Sequence, residues 1–252
     1  MKRIALCILS VAGCALAQVR VPAGRILDLT QEISPTSPVF FPTMAFSAQQ
    51  DTEEAKLHIY SRTFKASEHL GTHVDAPSHF GGDKNRQMVS ELTLRQLVAP
   101  AIVVDITLAV KKNSDYLLSL ADLDAWEKGN GTIPAQSVVI ANTGWSARWK
   151  QGEPYRNADA KGVMHFPGFS VEAARRLVER KVGGLGIDTL SVDYGPSSDF
   201  KVHYTTQPNG IYHIENMANL DQLPAKGATL IASPLKLKDG SGSPARIWAI
   251  VP

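Results

Sequence analysis

The stretch HLGTHVDAPSHF, residues 69–80, contains three of the chain's seven histidines, with an aspartate among them. A helix would place His69 and His73 one turn apart on one face. That conformation is disfavoured by Gly71, by the β-branched neighbours of His73 and by Pro77. Pro77 also favours an extended backbone at the residue before it. We therefore predict that this segment is extended.

Side-chain alternation along the segment predicts a cluster of ligand-type groups. In an extended chain every second side chain points to the same face. The ligand-type side chains all carry odd numbers, namely His69, His73, Asp75 and His79. Gly71 lies between them and is predicted to leave room for an ion. Neutral imidazoles with a carboxylate suit zinc or manganese. A solvated polar loop is the alternative, but four such groups within eleven residues favour a metal site.

The remaining sequence predicts one globular α/β domain with sheet dominant. The chain has 252 residues, of which 44% are hydrophobic and 20% charged, as is usual for a soluble domain. Two helices are predicted, one capped by Ser119 and ending at Gly129, the other capped by Ser170. Buried strands are predicted from apolar, β-branched runs at 26–30, 101–107, 137–142, 184–193, 228–233 and 245–251.

The first residues indicate an export signal. Lys2 and Arg3 precede a short apolar run and the small-residue pattern Ala15-Leu16-Ala17, which predicts a signal peptide over 1–17 and a mature domain over 18–252. The run is short for a membrane span, so we predict a periplasmic or secreted protein. The alternative is lipid anchoring through Cys14, because residues 11–14 resemble a lipobox.

Cleavage at this point excludes two classes of function. Lys2 and Arg3 leave with the signal, so 24 of the 26 basic residues remain against 24 acidic ones. A formally neutral domain is unsuited to a nucleic-acid partner. Cys7 and Cys14 also leave, so the domain has no thiol nucleophile and any metal must be held by imidazole and carboxylate.

The segment from His69 to His79 resembles the signature of the cyclase-like metal-dependent hydrolases. This family includes bacterial kynurenine formamidases and isatin hydrolases. The resemblance implies a layered, swivelling β/β/α fold with a small barrel-like sheet core, and homodimers or higher assemblies. It extends from residue 26 to the end of the chain through further similar stretches, which are NTGW (142–145), HFPGFS (165–170), GIDTLSVD (186–193) and VHYTTQPNGIYHIENMANLD (202–221).

The resemblance also implies a ligand set for one or two divalent ions. His69, His73 and Asp75 correspond to the ligands of one metal. His203 and Glu215 correspond to the ligands of a second, with Asp75 able to bridge the two. The residues alone predict the first group, whereas the second rests on the resemblance.

The implied activity is hydrolysis of an amide or formamide bond by metal-activated water. The predicted reaction is of the arylformamidase type, N-formylkynurenine to kynurenine and formate, and ring opening of isatin is the alternative. The segment between Trp145 and Phe169 is longer than in a compact formamidase and favours the isatin branch. His79 is implied as the proton-transferring residue, unless it only orients a ligand. His213, two residues before Glu215, is a rival ligand.

An aromatic small-molecule substrate requires a pocket with an apolar wall. The aromatic candidates for this wall are Phe40, Phe41, Trp145, Trp149 and Phe166. His165 is a further residue that could line the pocket. Each of these could equally belong to the core.

Two rival functions fit the sequence less well. A serine hydrolase needs a Gly-x-Ser-x-Gly elbow, and the nearest stretch, DGSGS at 239–243, has the wrong spacing and is read as a plain turn. An exported metal-binding protein could use the same ligands, but it would have no use for a proton shuttle at His79.

Overall fold

The computed structural model describes residues 24–252. The predicted export signal and Cys14 lie outside this part of the chain, so export and lipid anchoring stay predictions, as does self-association. No helix within residues 24–252 combines the length and apolar character needed to cross a bilayer.

Twelve strands and seven short helices follow one another along the described chain. The strands are β1 (Arg25–Asp28), β2 (Ser47–Gln50), β3 (Arg62–Lys65), β4 (His73–Asp75), β5 (Val98–Asp105), β6 (Leu117–Leu118), β7 (Val138–Asn142), β8 (Gly168–Phe169), β9 (Gly184–Ile187), β10 (Tyr212–Glu215), β11 (Thr229–Pro234) and β12 (Gly242–Val251). The α-helices are α1 (Thr52–Lys56), α2 (Leu94–Leu97), α3 (Thr107–Val110), α4 (Leu120–Asn130), α5 (Glu153–Arg156), α6 (Val171–Glu179) and α7 (Lys201–Thr206).

Seven of the strands close into a barrel-like ring. The order around it is β12, β11, β5, β7, β9, β10 and β4, and β4 pairs again with β12. Strand β1 extends the sheet from β12. The pairs β5–β7, β7–β9 and β9–β10 are parallel, and the other pairs of the ring are antiparallel. The predicted single-domain α/β fold with a small barrel-like core is confirmed.

The central strands are buried on both faces, which explains their uninterrupted apolar sequences. Along β7, Val139 packs in the cluster that includes Leu123 from α4 and Leu177 from α6. Its neighbour Ile140 packs in a second cluster, with Ile247 from β12. The ring is thus covered by helices on one side and filled by side chains on the other.

Both predicted helices begin at the serine caps that the sequence indicated. The Ser119 hydroxyl accepts the backbone N–H of Asp122, and that carboxylate accepts from the Ser119 N–H, a capping box. At the start of α6 the Ser170 hydroxyl accepts the backbone N–H of Ala173, without a return contact from the alanine side chain. The predicted end at Gly129 is one residue short, because Gly131, with φ 91°, terminates α4 after Asn130.

The strand predicted over 184–193 ends at Ile187. Beyond it the Asp188 carboxylate accepts from the backbone N–H and the hydroxyl of Thr143, and the Thr189 hydroxyl donates to the Ser191 carbonyl. Such side-chain bonds compete with ladder pairing. They hold the following residues in a buried loop instead of a strand.

The motif segment is extended only at its centre. Ala76 adopts φ −76° and ψ 157°, as predicted before Pro77, but Pro77–His79 then forms a 3-10 helix. Gly71 has φ +64°, so the chain also turns on the other side of β4. The predicted alternation therefore explains His73 and Asp75, whereas His69 and His79 reach the same place through turns.

The sequence predicted that Gly71 leaves room for an ion. The structure instead explains this glycine by its close contact with Ile33. A Cβ at this position would lie 2.7 Å from the Ile33 Cγ1 atom, and the positive φ of Gly71 is one that residues with side chains rarely tolerate.

We predict that Gly71→Ala lowers the free energy of unfolding by about 1–3 kcal/mol in a urea titration of metal-free protein. Gly82→Ala is the matched control, since φ is +55° there and nothing lies within 4 Å. Equal costs for the two substitutions would contradict the role of Ile33.

Candidate metal centre

Asp75, at the end of β4, is the centre of the site and is completely buried. Its Oδ1 atom lies 2.6 Å from His69 Nδ1 and 3.0 Å from His73 Nε2. These three side chains form one group that could hold a metal ion. It is the group that the sequence segment itself predicted.

A second group faces the other oxygen of Asp75. His203 Nε2 lies 3.6 Å from Asp75 Oδ2 and 3.5 Å from Glu215 Oε1. Sheet register brings Glu215 to this place, because β10 runs antiparallel to β4 with His213 opposite Asp75 and Glu215 opposite His73, and His203 comes from α7. Each carboxylate oxygen of Asp75 thus faces one group, a geometry suited to bridging two ions.

His213 is also close to Asp75, and only its Nε2 atom is held closely by a residue outside the ligand groups. The Thr206 hydroxyl donates to the Val202 carbonyl and lies 2.7 Å from His213 Nε2, so it accepts the Nε2–H of that ring. His213 Nδ1 faces the side-chain amide of Gln207 at 3.4 Å, and is 3.9 Å from Asp75 Oδ2. His213 Nδ1 therefore stays available to the second group, to which His213 belongs with Asp75, His203 and Glu215, although it lies farther from Asp75 Oδ2 than His203 Nε2 does.

The unsatisfied atoms of the cluster fit a cation. His73 Nε2 and Asp75 Oδ2 are buried without a hydrogen-bond partner, which is costly unless another group occupies the space between them. Burial opposes ionisation of Asp75, yet the adjoining His73 and His69 hold its pKa well below the usual value. Burial and the charge of Asp75 raise the pKa of Glu215 well above its usual value. A divalent ion would relieve this carboxylate repulsion, and the nitrogen and oxygen donors suit zinc and manganese alike.

Two contacts outside the ligand groups fix the rings of His73 and His203. His73 Nδ1–H donates to the Gly71 carbonyl at 2.9 Å. His203 Nδ1 lies 2.6 Å from the Asp193 carboxylate, which also accepts the backbone N–H of Val202 and His203. Sequence reasoning missed Asp193, although it closes the GIDTLSVD stretch. Such partners orient the imidazole and strengthen it as a ligand.

His79 stands beside the cluster on the 3-10 helix. Its ring stacks on that of His69 with centroids 4.0 Å apart, and it lies at the wall of the adjoining cavity. Burial, together with the neighbouring histidines, lowers the pKa of His79 to about 3. The imidazole is therefore neutral at physiological pH, but a pKa this low makes it a weak base and does not itself favour proton transfer. The structure places it where proton transfer would be needed, and the role itself stays a prediction.

A cavity of about 340 Å³ opens next to the cluster and is walled mainly by apolar side chains. Phe40 and Phe41 line it, as the sequence suggested. Sequence reasoning missed two other aromatic residues there, Phe80 and Phe200, because they are distant from the first two along the chain. The apolar wall consists of Pro38, Val39, Phe40, Phe41, Met44, Phe80, Leu190 and Phe200.

The other residues proposed for the pocket lie elsewhere. The side chains of Trp145, Trp149 and Phe166 are buried in the core cluster. His165 does not line the cavity, because its Nδ1 atom is held 2.7 Å from the Asp115 carboxylate. That hydrogen bond also raises the pKa of His165.

Comparison with known proteins identifies relatives of this chain by sequence and by structure. The family model described as "Putative cyclase" matches residues 27–194. An isatin hydrolase of Roseibium aggregatum is 33% identical over 245 residues, covering 90% of this chain and 92% of that protein. A kynurenine formamidase of Paracidovorax citrulli is 26% identical over 220 residues, covering 87% and 93%. The solved structure of isatin hydrolase A from Labrenzia aggregata, bound to benzyl benzoate, has a TM-score of 0.84 and 36% identity and covers 90% and 93% of the two chains.

Proposed function

This chain belongs to the cyclase family of metal-dependent hydrolases, and from that premise we propose that it opens the ring of isatin or of a similar neutral, aromatic cyclic amide. In that reaction the amide C–N bond breaks. The oxygen of water joins the carbonyl carbon, and a proton goes to the ring nitrogen, which becomes an aromatic amine. Hydrolysis of a formamide is the related alternative, suggested by the kynurenine formamidases that are similar at lower identity.

The observation that carries the choice is the apolar character of the cavity wall away from the metal-binding residues. Among the described residues that line it, none is lysine or arginine. N-formylkynurenine has an ionised amino-acid tail, and burying such charges without partners is costly. Isatin is uncharged and aromatic, so it is compatible with walls such as Phe40 and Phe200. A cavity of about 340 Å³ is also within the usual range for small ligands.

In this proposal metal binding and proton transfer are assigned to different residues. His69, His73 and Asp75 would hold one divalent ion, and His203 and Glu215 with Asp75 a second. When bound, such an ion activates water near neutral pH and withdraws charge from a carbonyl group. His79 accepts a proton from the attacking water and delivers it to the leaving nitrogen.

The test is metal-dependent turnover by chain stripped with a chelator and reloaded with zinc or manganese. We expect loss of isatin, followed by absorbance, to stop on stripping and to return with metal. We expect kcat/KM for isatin to exceed that for N-formylkynurenine by roughly tenfold or more, because of the charge penalty.

A matched substrate separates charge from bond type. N-formyl-2-aminoacetophenone carries the same formamide as N-formylkynurenine without the ionised tail. Turnover of this compound alongside isatin would support the apolar cavity as the selecting feature. Preference for N-formylkynurenine over both neutral compounds would overturn the proposed substrate class and leave the hydrolase standing.

A further inference from the structure

The nitrogen that each imidazole offers to a metal is set by what holds its other nitrogen. In His73 and His203 the Nδ1 atom is held, by the Gly71 carbonyl and by the Asp193 carboxylate respectively. Both rings therefore turn Nε2 towards the cluster. This is the arrangement in which a second contact fixes ring orientation and tautomer.

His69 is arranged the other way round. Its Nδ1 atom faces Asp75 Oδ1 at 2.6 Å, and its Nε2 atom lies 3.0 Å from the hydroxyl of Ser241. The Ser241 hydroxyl has one hydrogen, and the Glu68 carboxylate lies 2.7 Å from it as an acceptor. Since a carboxylate only accepts, Ser241 donates to Glu68 and must accept the Nε2–H of His69.

Two further contacts fix this arrangement. The backbone N–H of Ser241 also donates to the Glu68 carboxylate, at 2.9 Å. The ring of His69 lies against Gly242, where a Cβ would be only 2.6 Å from His69 Cε1. Substitution by a larger residue would push the ring away from this turn.

We propose that Ser241 and Glu68 are positioning residues that keep a proton of His69 on Nε2, so that Nδ1, which shares a hydrogen bond with Asp75 Oδ1 in the ion-free chain, is the atom that would bind the metal. The inference rests on the proposed metal-dependent function and extends it to the stretch 239–243, which the sequence suggested was a plain turn. Because the His79 ring stacks on His69, the same contacts also set the position of the neighbouring proton-transfer residue.

The first test is zinc affinity, measured by competition with a chromogenic chelator, which needs no turnover. We expect Ser241→Ala and Glu68→Gln to weaken zinc binding by about 10–100-fold, and Ser241→Thr, which keeps the hydroxyl, to restore most of it. Ser243→Ala is the matched control. Its hydroxyl contacts only the backbone of Leu235 and Pro244, so we expect wild-type zinc affinity even if stability falls.

The second test observes the tautomer directly. A long-range proton–nitrogen correlation spectrum of the zinc-loaded chain should show His69 protonated at Nε2 and bound through Nδ1. His73 and His203 should show the opposite pattern. Signals are assigned by the peaks lost in single His→Gln variants.

The outcomes separate this inference from the proposed function. Zinc bound through His69 Nε2, or wild-type affinity in Ser241→Ala, overturns the inference even if isatin is hydrolysed. Tight zinc binding with the expected tautomers but no turnover of isatin leaves the inference standing and refutes the proposed substrate. A wild-type chain that binds no zinc or manganese would overturn both.

Discussion

Replacing Asp75 by asparagine should remove metal from both ligand groups and reduce kcat/KM for the metal-dependent reaction by roughly 10⁴-fold or more. The expectation follows from the position of Asp75, which is fully buried and has one oxygen facing each group. Asparagine keeps the shape but loses the negative charge, and its NH₂ group donates where a lone pair is needed. Metal content after dialysis, measured by mass spectrometry, and turnover of the neutral substrate are the two readouts.

The matched control is Asp188→Asn. Asp188 is equally buried, but its carboxylate accepts from Thr143 and the backbone of Ser146, outside the ligand groups. This substitution should lower the melting temperature and leave the metal content of the folded protein unchanged. If Asp75→Asn retained a full complement of metal, the bridging position assigned to Asp75 would be wrong.

Local sequence pattern was sufficient for most of the barrel. Apolar runs predicted β5, β7, β11 and most of β12, because each of these strands buries at least one face. Serine caps predicted the starts of α4 and α6, since capping depends on residues only three apart. The strand β9 was predicted too long, because its predicted second half is held as a loop by side-chain bonds, and β10 was not predicted as a strand. One of these bonds reaches Thr143 in another segment, on which the periodicity of 184–193 gives no information.

The candidate site was likewise predictable from the sequence only in part. The motif segment predicted the group of His69, His73 and Asp75, and the family resemblance added His203 and Glu215. The partners that orient the rings were not predictable. Ser241 lies 172 positions from His69, and only the pairing of β12 with β4 brings it close. A stretch read as a plain turn therefore carries a contact to a ligand.

The alternation of odd-numbered residues predicted that four side chains would lie together, and the structure brings them together only partly through alternation. Only β4 is extended, so the pleat accounts for two of the four side chains. His69 precedes the positive-φ turn at Gly71, and His79 follows Pro77 on a 3-10 helix. The turns place the His79 ring face to face with that of His69, whereas an extended chain would have held the two apart. This stacking gives His79 a position beside the ligands without making it one of them.

Replacing His79 by alanine should therefore separate catalysis from metal binding. We expect kcat to fall by about 10²–10⁴-fold, the range for loss of a general acid–base group, with metal content unchanged and KM affected much less. His165→Ala is the matched control, because that histidine is paired with Asp115 away from the cavity and should leave kcat unaltered. Wild-type turnover in His79→Ala would refute proton transfer by this residue. Loss of metal in parallel with activity would instead assign the stacked ring a supporting role for His69.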